Sequence, residues 1–189
     1  MTDTVLRGFG EARARIPFSA VNRQASPGYD PNLQRHHLLP RQLRTSACFA
    51  RMLGALGPGR LGLEDFRRNG MLLPARERAA VRMGLPLHRG PHRVYSELVA
   101  QRVGQIEQRW AAAVRHDRER AGEEALMRLA LLQRALRRRL LDTRRRALVL
   151  NRRDPLGQGF DFAELDAMAE ALWAASQPTN LASSSAFAA

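Results

Sequence analysis

The sequence contains no lysine: all 31 basic residues are arginine, set against 18 acids for a formal net charge of +13. It has a single cysteine, Cys48, which excludes a disulfide framework and a cysteine-based zinc cluster. Any metal must then be held by histidine, asparagine or carboxylates. Nowhere is there a run of the roughly 18 apolar residues that reads as membrane-spanning. The N-terminal "MTDTVLRGFGEARARIPF" lacks the apolar stretch of a conventional secretory signal. The expectation is a soluble protein with no membrane partner, cytoplasmic or exported by a specialised system. No internal repeat is present, and 189 residues suit one core with extensions better than two domains.

The basic excess fits an anionic partner, most often nucleic acid. An arginine-for-lysine bias can also come from a GC-rich genome without selection at any site. Its product is a competent phosphate-binding surface all the same, because a guanidinium forks two phosphate oxygens. From Arg128 to Arg153 there are ten arginines against one acid, Asp142. Beyond Asp154 the sign reverses, with Asp161, Glu164, Asp166 and Glu170. Arg137, Arg138 and Arg139, like Arg144, Arg145 and Arg146, are consecutive and wrap around a helix rather than forming a stripe. The run reads equally as a nucleic-acid clamp or as a solvated helix face.

Periodicity predicts a mostly α chain. Residues 1–30, with "FSAVNRQASPGYDPN", are aperiodic and read as an irregular arm without chemistry. Residues 31–116 read as the functional core. Within it, a helix is expected from Arg41 to Leu56, entered by Pro40 and stopped by "GPG". A short strand should leave the Asn-Gly turn at 69–70 and close at Pro74; a short helix should end at Gly84; a longer one should run from Pro91 to His116. Residues 117–153 read as one long basic helix, Arg118 to Leu150, on a stripe of Leu126, Leu129, Leu136 and Leu140. Residues 154–189 read as an acidic tail with a helix over "FAELDAMAEALWAAS" and a disordered low-complexity end. Trp110 and Trp173 fall on apolar helix sides and read as core.

Four of the five histidines form two tight sets, His36-His37 in "RHHLLP" and His88 with His92 in "HRGPH", with Asn69 between them. Hydrolysing a phosphodiester requires a base to deprotonate water and positive charge to meet the charge building on the phosphate. A neutral imidazole, with an ordinary pKa of about 6.5, supplies the first, and a divalent cation the second. His88 and His92 lie four apart across a helix start and can share a metal. Adjacent side chains on an extended segment point to opposite faces, so one of His36 and His37 can ligate while the other addresses the water. Asn69 can hydrogen-bond a histidine and fix its tautomer. His116, in "VRHDRER", has no partners and is given no role.

With "HHLLP" at 36–40, "NGMLLP" at 69–74 and "HRGPHRVYS" at 88–96 in that order, the chain resembles the AHH nucleases of the HNH, or His-Me finger, superfamily over about residues 31–105. The resemblance implies a small ββα-metal element, with His37 as general base and His36, His88 and His92 as ligands of one divalent ion. It also implies a role for Asn69 in orienting the base or approaching the metal, and matches Tyr95 to the aromatic after the last histidine. Arg35 stands where the family's name expects alanine. Arg35, Arg89, Arg93, Arg137, Arg138, Arg144 and Arg145 are the candidate nucleic-acid contacts. Such domains often form the toxic end of bacterial polymorphic toxins, which would add an immunity or inhibitor protein as a partner.

The expected function is therefore a metal-dependent endonuclease acting on DNA, or on RNA. The alternative is a non-enzymatic basic nucleic-acid-binding protein with a structural metal. A structural zinc normally takes four protein ligands, whereas three imidazoles leave a position open for water, which favours the enzyme. Three imidazoles suit Zn²⁺, yet phosphate and waters can complete a Mg²⁺ or Mn²⁺ shell.

Overall fold

The computed structural model describes residues 14–142, Leu150, Asp154 and residues 163–176. The fold is mostly helical around one small sheet. Strands β1 (Leu33–His37) and β2 (Gly70–Pro74) pair antiparallel, with Leu33 opposite Pro74 and His37 opposite Gly70. They are not joined by a tight turn. Helices α1 (Ala47–Leu56), α2 (Pro58–Leu61) and α3 (Phe66–Asn69) intervene. After the sheet come α4 (Glu77–Met83), α5 (Arg93–Ala113), α6 (Arg118–Leu141) and α7 (Ala163–Ser176). Two antiparallel strands followed by α5 are compatible with a small ββα element.

Local chemistry explains where the elements stop. The helix expected from Arg41 starts only at Ala47, because Arg41–Arg44 form a 3-10 turn and the Thr45 hydroxyl donates to the Gln42 carbonyl, 3.1 Å away. A hydroxyl bonded to nearby backbone competes with helix propagation. Helix α4 ends where expected, at Gly84 in the left-handed conformation. Helix α5 begins at Arg93 rather than Pro91, with His92 as its non-helical N-cap residue, and it ends before His116. Asp117 then caps α6, its carboxylate accepting from the Arg120 N–H at 2.9 Å. Helix α6 stops at Leu141, where Asp142 turns extended. The remainder of the expected helix, with Arg144, Arg145 and Arg146, lies outside the described residues, as does the end of the acidic tail.

The core is one continuous cluster. Met52 and Leu56 of α1, Val103 and Trp110 of α5, and Leu129, Leu136 and Leu140 of α6 cluster with Leu73 of β2 and with Leu38 and Leu39, which follow β1. Helix α6 thus contributes to the same hydrophobic cluster as α1, α5 and the sheet. Trp110 is buried as expected, but Trp173 is half-exposed and carries the Arg128 guanidinium 3.7 Å above its ring. Among the described residues no helix is long and apolar enough to cross a membrane. Cys48 and His116 are both exposed.

Part of the N-terminal arm packs against the fold. Phe18 is buried, Pro17 bridges Asp65, and the Phe66 N–H donates to the Ile16 carbonyl at 2.7 Å. This brings residues 16–18 against α3 and the start of β2.

Two glycines report on this packing in opposite directions. A Cβ on Gly70 would stand 2.2 Å from the Phe66 ring, whereas one on Gly54, exposed within α1, meets nothing within 4 Å. Gly70→Ala should destabilise the fold by about 1–3 kcal/mol through overpacking. Gly54→Ala should stabilise it by about 0.5–1 kcal/mol through helix propensity. Urea unfolding midpoints of the two variants check both signs.

Candidate metal centre

The site begins with the alternation of β1. His36 and His37 are successive residues of an extended strand and face opposite ways. His36 turns inward, 3% exposed, while His37 is half-buried on the other face. The chain between α4 and α5 returns to the sheet, where the His88 N–H donates to the Pro74 carbonyl at 2.7 Å. That return sets His88 and His92 beside His36. Ring centroids are 4.9 Å apart for His36 and His88, 5.7 Å for His36 and His92, and 4.3 Å for His88 and His92. One nitrogen from each ring lies within 4.8 Å of the other two. Tyr95, also buried, packs its ring 5.0 Å from that of His36 and donates its hydroxyl to the Leu38 carbonyl at 2.7 Å.

The donor set fits a divalent ion. His36 Nε2 is buried with no hydrogen-bond partner, a rare condition for a buried nitrogen unless something else binds it. His88 Nδ1 lies 3.2 Å from Gln34 Oε1 and His92 Nδ1 lies 3.0 Å from the Leu150 carbonyl. A ring nitrogen facing a carbonyl oxygen carries the proton, which leaves the other nitrogen of each ring with its lone pair for a metal. Burial lowers the pKa of His36 well below the usual imidazole value, helped by His88, His92 and His37. His88 is pushed down to about 4, first by burial and then by His92. Burial also lowers His92, against the opposing bond to Leu150. All three are neutral near pH 7, the form in which imidazole ligates.

His37 stands apart from this trio but within its electrostatic reach, since its charge would disfavour charge on both His36 and His88. Burial lowers its own pKa, against an opposing pull from Glu64. Its ring lies flat on Phe18, with centroids 3.7 Å apart and planes within 3°. Phe18 is held in turn edge-on by Phe66 at 5.2 Å, and its carbonyl accepts from Arg35 Nη1 at 2.7 Å.

The Asn69 side chain makes no hydrogen bond to a histidine. It is fully buried at the end of α3. Its Oδ1 accepts from the Leu39 N–H at 2.7 Å and from Gln133 Nε2 at 3.1 Å, and its Nδ2 donates to the carbonyls of Leu39 and Leu63 at 3.1 and 3.0 Å. An amide has two donors and two acceptor positions, so nothing remains for an imidazole. Asn69 instead fixes the chain that leaves the histidine pair.

The arginines divide. Arg89 and Arg93 are exposed, one between His88 and His92 and the other just after His92, and Arg138 is exposed on α6. Arg35 is exposed but tied to Phe18. Arg137 is half-buried, and its Nη2 donates to the carbonyls of Arg67, Arg68 and Gly70 at 2.9, 3.2 and 3.0 Å. That guanidinium nitrogen satisfies carbonyls at the end of α3. Arg139 is buried.

Phe18, Gln34, Gln133, Leu150 and Asp154 were not foreseen. Only Gln34 left a trace in the sequence, because it precedes His36 by two residues and a strand of period 2 puts both on one face. The others reach the site from distant parts of the chain.

The fold and the histidine cluster together define a compact helical protein with a buried imidazole trio on a two-stranded sheet. A family model described as a nuclease family of the HNH/ENDO VII superfamily with conserved AHH matches residues 18–136, more than half of the chain. The chain belongs to this AHH nuclease family. The match extends past the region of sequence resemblance at both ends, taking in Phe18 and most of α6. No curated protein and no solved structure matches the chain.

Two outcomes follow from this chemistry. The unfolded chain takes up protons at an ordinary histidine pKa of about 6.5, while the folded histidines resist them down to about 4 at His88. The unfolded state thus binds more protons in this window, and the metal-free protein should lose stability as pH falls from about 6.5 towards 4. Thermal melts at stepped pH, run in EDTA, read this directly. Asn69→Ala should cost about 3 kcal/mol in urea unfolding, because it strands buried groups of Leu39, Leu63 and Gln133.

Proposed function

We propose that the chain is a metal-dependent endonuclease that hydrolyses phosphodiester bonds of DNA, with a His-Me finger formed by β1, β2 and the start of α5. The observation that carries this reading is the convergence of the His36, His88 and His92 nitrogens, with His37 next along the strand. A divalent ion held by these three imidazoles supplies Lewis acidity at the scissile phosphate when bound. Three protein donors leave coordination positions open for substrate and water, unlike a structural zinc site.

His37 is the general base. Burial lowers its pKa and keeps it neutral near pH 7, the form that accepts a proton from an attacking water, and its Nε2 makes no hydrogen bond within the protein. Phe18 holds the imidazole plane, so the direction of the lone pair is set before substrate arrives. Gln34 and the Leu150 carbonyl keep the protons of His88 and His92 on Nδ1. Arg89 and Arg93, exposed on either side of His92 in the chain, are placed to pair with backbone phosphates.

The test uses supercoiled plasmid, single-stranded DNA and RNA with Mg²⁺, Mn²⁺, Zn²⁺ or EDTA. Wild type should cut the plasmid only with metal. His37→Ala should lose about 10²–10⁴-fold in rate with DNA binding and metal uptake unchanged, whereas His36→Ala should lose metal uptake as well. Phe18→Ala should slow cleavage about tenfold at unchanged metal affinity. Absence of cutting by folded wild type with every metal would overturn the enzyme reading, and cutting of RNA alone would overturn the DNA assignment.

A further inference from the structure

The family match ends at residue 136, yet two contacts on the histidine loop come from beyond it. The Leu150 carbonyl lies 3.0 Å from His92 Nδ1, and Asp154 Oδ2 accepts from the Leu87 N–H at 2.9 Å. Leu87 is fully buried and immediately precedes His88. Leu150 and Asp154 are themselves buried, at 5% and 8% exposure.

The stretch from Leu85 to His92 carries two of the three metal-ligating histidines and has no regular secondary structure. Such a segment keeps its conformational freedom unless other groups remove it. Hydrogen bonds from two directions hold it near the histidines. The Pro74 carbonyl takes the His88 N–H and Gln34 takes the His88 ring, both from the sheet; Leu150 takes the His92 ring and Asp154 takes the Leu87 N–H, both from beyond α6. The sheet therefore fixes His88, and the residues after α6 fix His92 and the approach to His88.

We propose that Leu150 and Asp154 form a clamp that completes the metal centre: the Leu150 carbonyl holds His92 in the Nδ1–H tautomer, and the Asp154 carboxylate, acting as a positioning group through Leu87, holds the loop so that His88 and His92 meet His36. The inference rests on the metal-centre reading above and adds to it a determinant of metal affinity outside the nuclease family's own span. An ion bound by loosely held ligands must first order them, so removing the clamp weakens binding even though no ligand is lost. By linkage the effect is reciprocal, and metal binding steadies the clamp.

The experiment titrates full-length, EDTA-stripped protein with Zn²⁺ and with Mn²⁺ by calorimetry, comparing wild type, Asp154→Ala and Asp154→Asn. Asparagine retains a carbonyl oxygen to accept from Leu87, and alanine does not. Asp154→Ala should bind at least one of the two metals about tenfold more weakly, and Asp154→Asn should stay within about threefold of wild type. Equal affinity of wild type and a folded Asp154→Ala protein for both metals would overturn the clamp, whereas failure of wild type to bind either metal would overturn the metal centre itself. Long-range ¹H–¹⁵N correlation on metal-free wild type supplies a second reading that no folding defect can obscure. His92 should be the Nδ1–H tautomer; a dominant Nε2–H form would overturn the proposal.

Discussion

One buried amide ties the histidine strand to the rest of the molecule. Asn69 uses both donors and both acceptor positions of its side chain, on Leu39, Leu63 and Gln133, and its own carbonyl takes the Leu38 N–H at 2.8 Å. It therefore fixes the chain just after the histidine pair, closes the connection that ends at β2, and fastens α6 to both. A hydrogen bond in such surroundings contributes modestly while made and costs more if one partner is lost. The network leaves little freedom in where β1 ends, and so in where His36 and His37 point.

Upon that frame the histidines carry a deliberate tension. Three imidazoles packed together and shielded from water resist protonation, chiefly through burial, with His88 and His92 further lowering His36 and His92 further lowering His88. A buried nitrogen with no hydrogen bond is unfavourable in isolation, and His36 presents one to its neighbours. Sites that gather such strain are more often functional than structural, because a fold with nothing to bind there would have no reason to keep it. On the opposite face of the strand, Phe18 gives His37 an apolar wall, so the pleat places the two histidines in different surroundings.

Much of this was legible in the residues. The two histidine sets suggested a cluster, and the structure brings His36, His88 and His92 together, since strand alternation and a helix start are local rules. The short strand after Gly70 and the stop at Gly84 follow from turn chemistry. What the sequence concealed depends on long-range packing. Asn69 was read as a partner of histidine because an amide beside such a cluster can do that work, and only the surrounding carbonyls show that its capacity is already spent. Arg137 looked like part of a cationic run, but helix α6 lays it against the end of α3. The arm held Phe18, and no periodicity marks a single aromatic that folds back over a strand.

The sheet at the heart of the site pairs residues from well-separated stretches of the chain, and the groups around the histidines extend from Phe18 to Asp154. Contacts of such long sequence separation form late in folding, after their loop-closure entropy is met. During synthesis from the N-terminus, β1 emerges with its two histidines long before Gln133 or Leu150 exist to organise them. A nascent chain therefore displays isolated imidazoles, and the three come together only after His92 and the helices that pack around the sheet have been made.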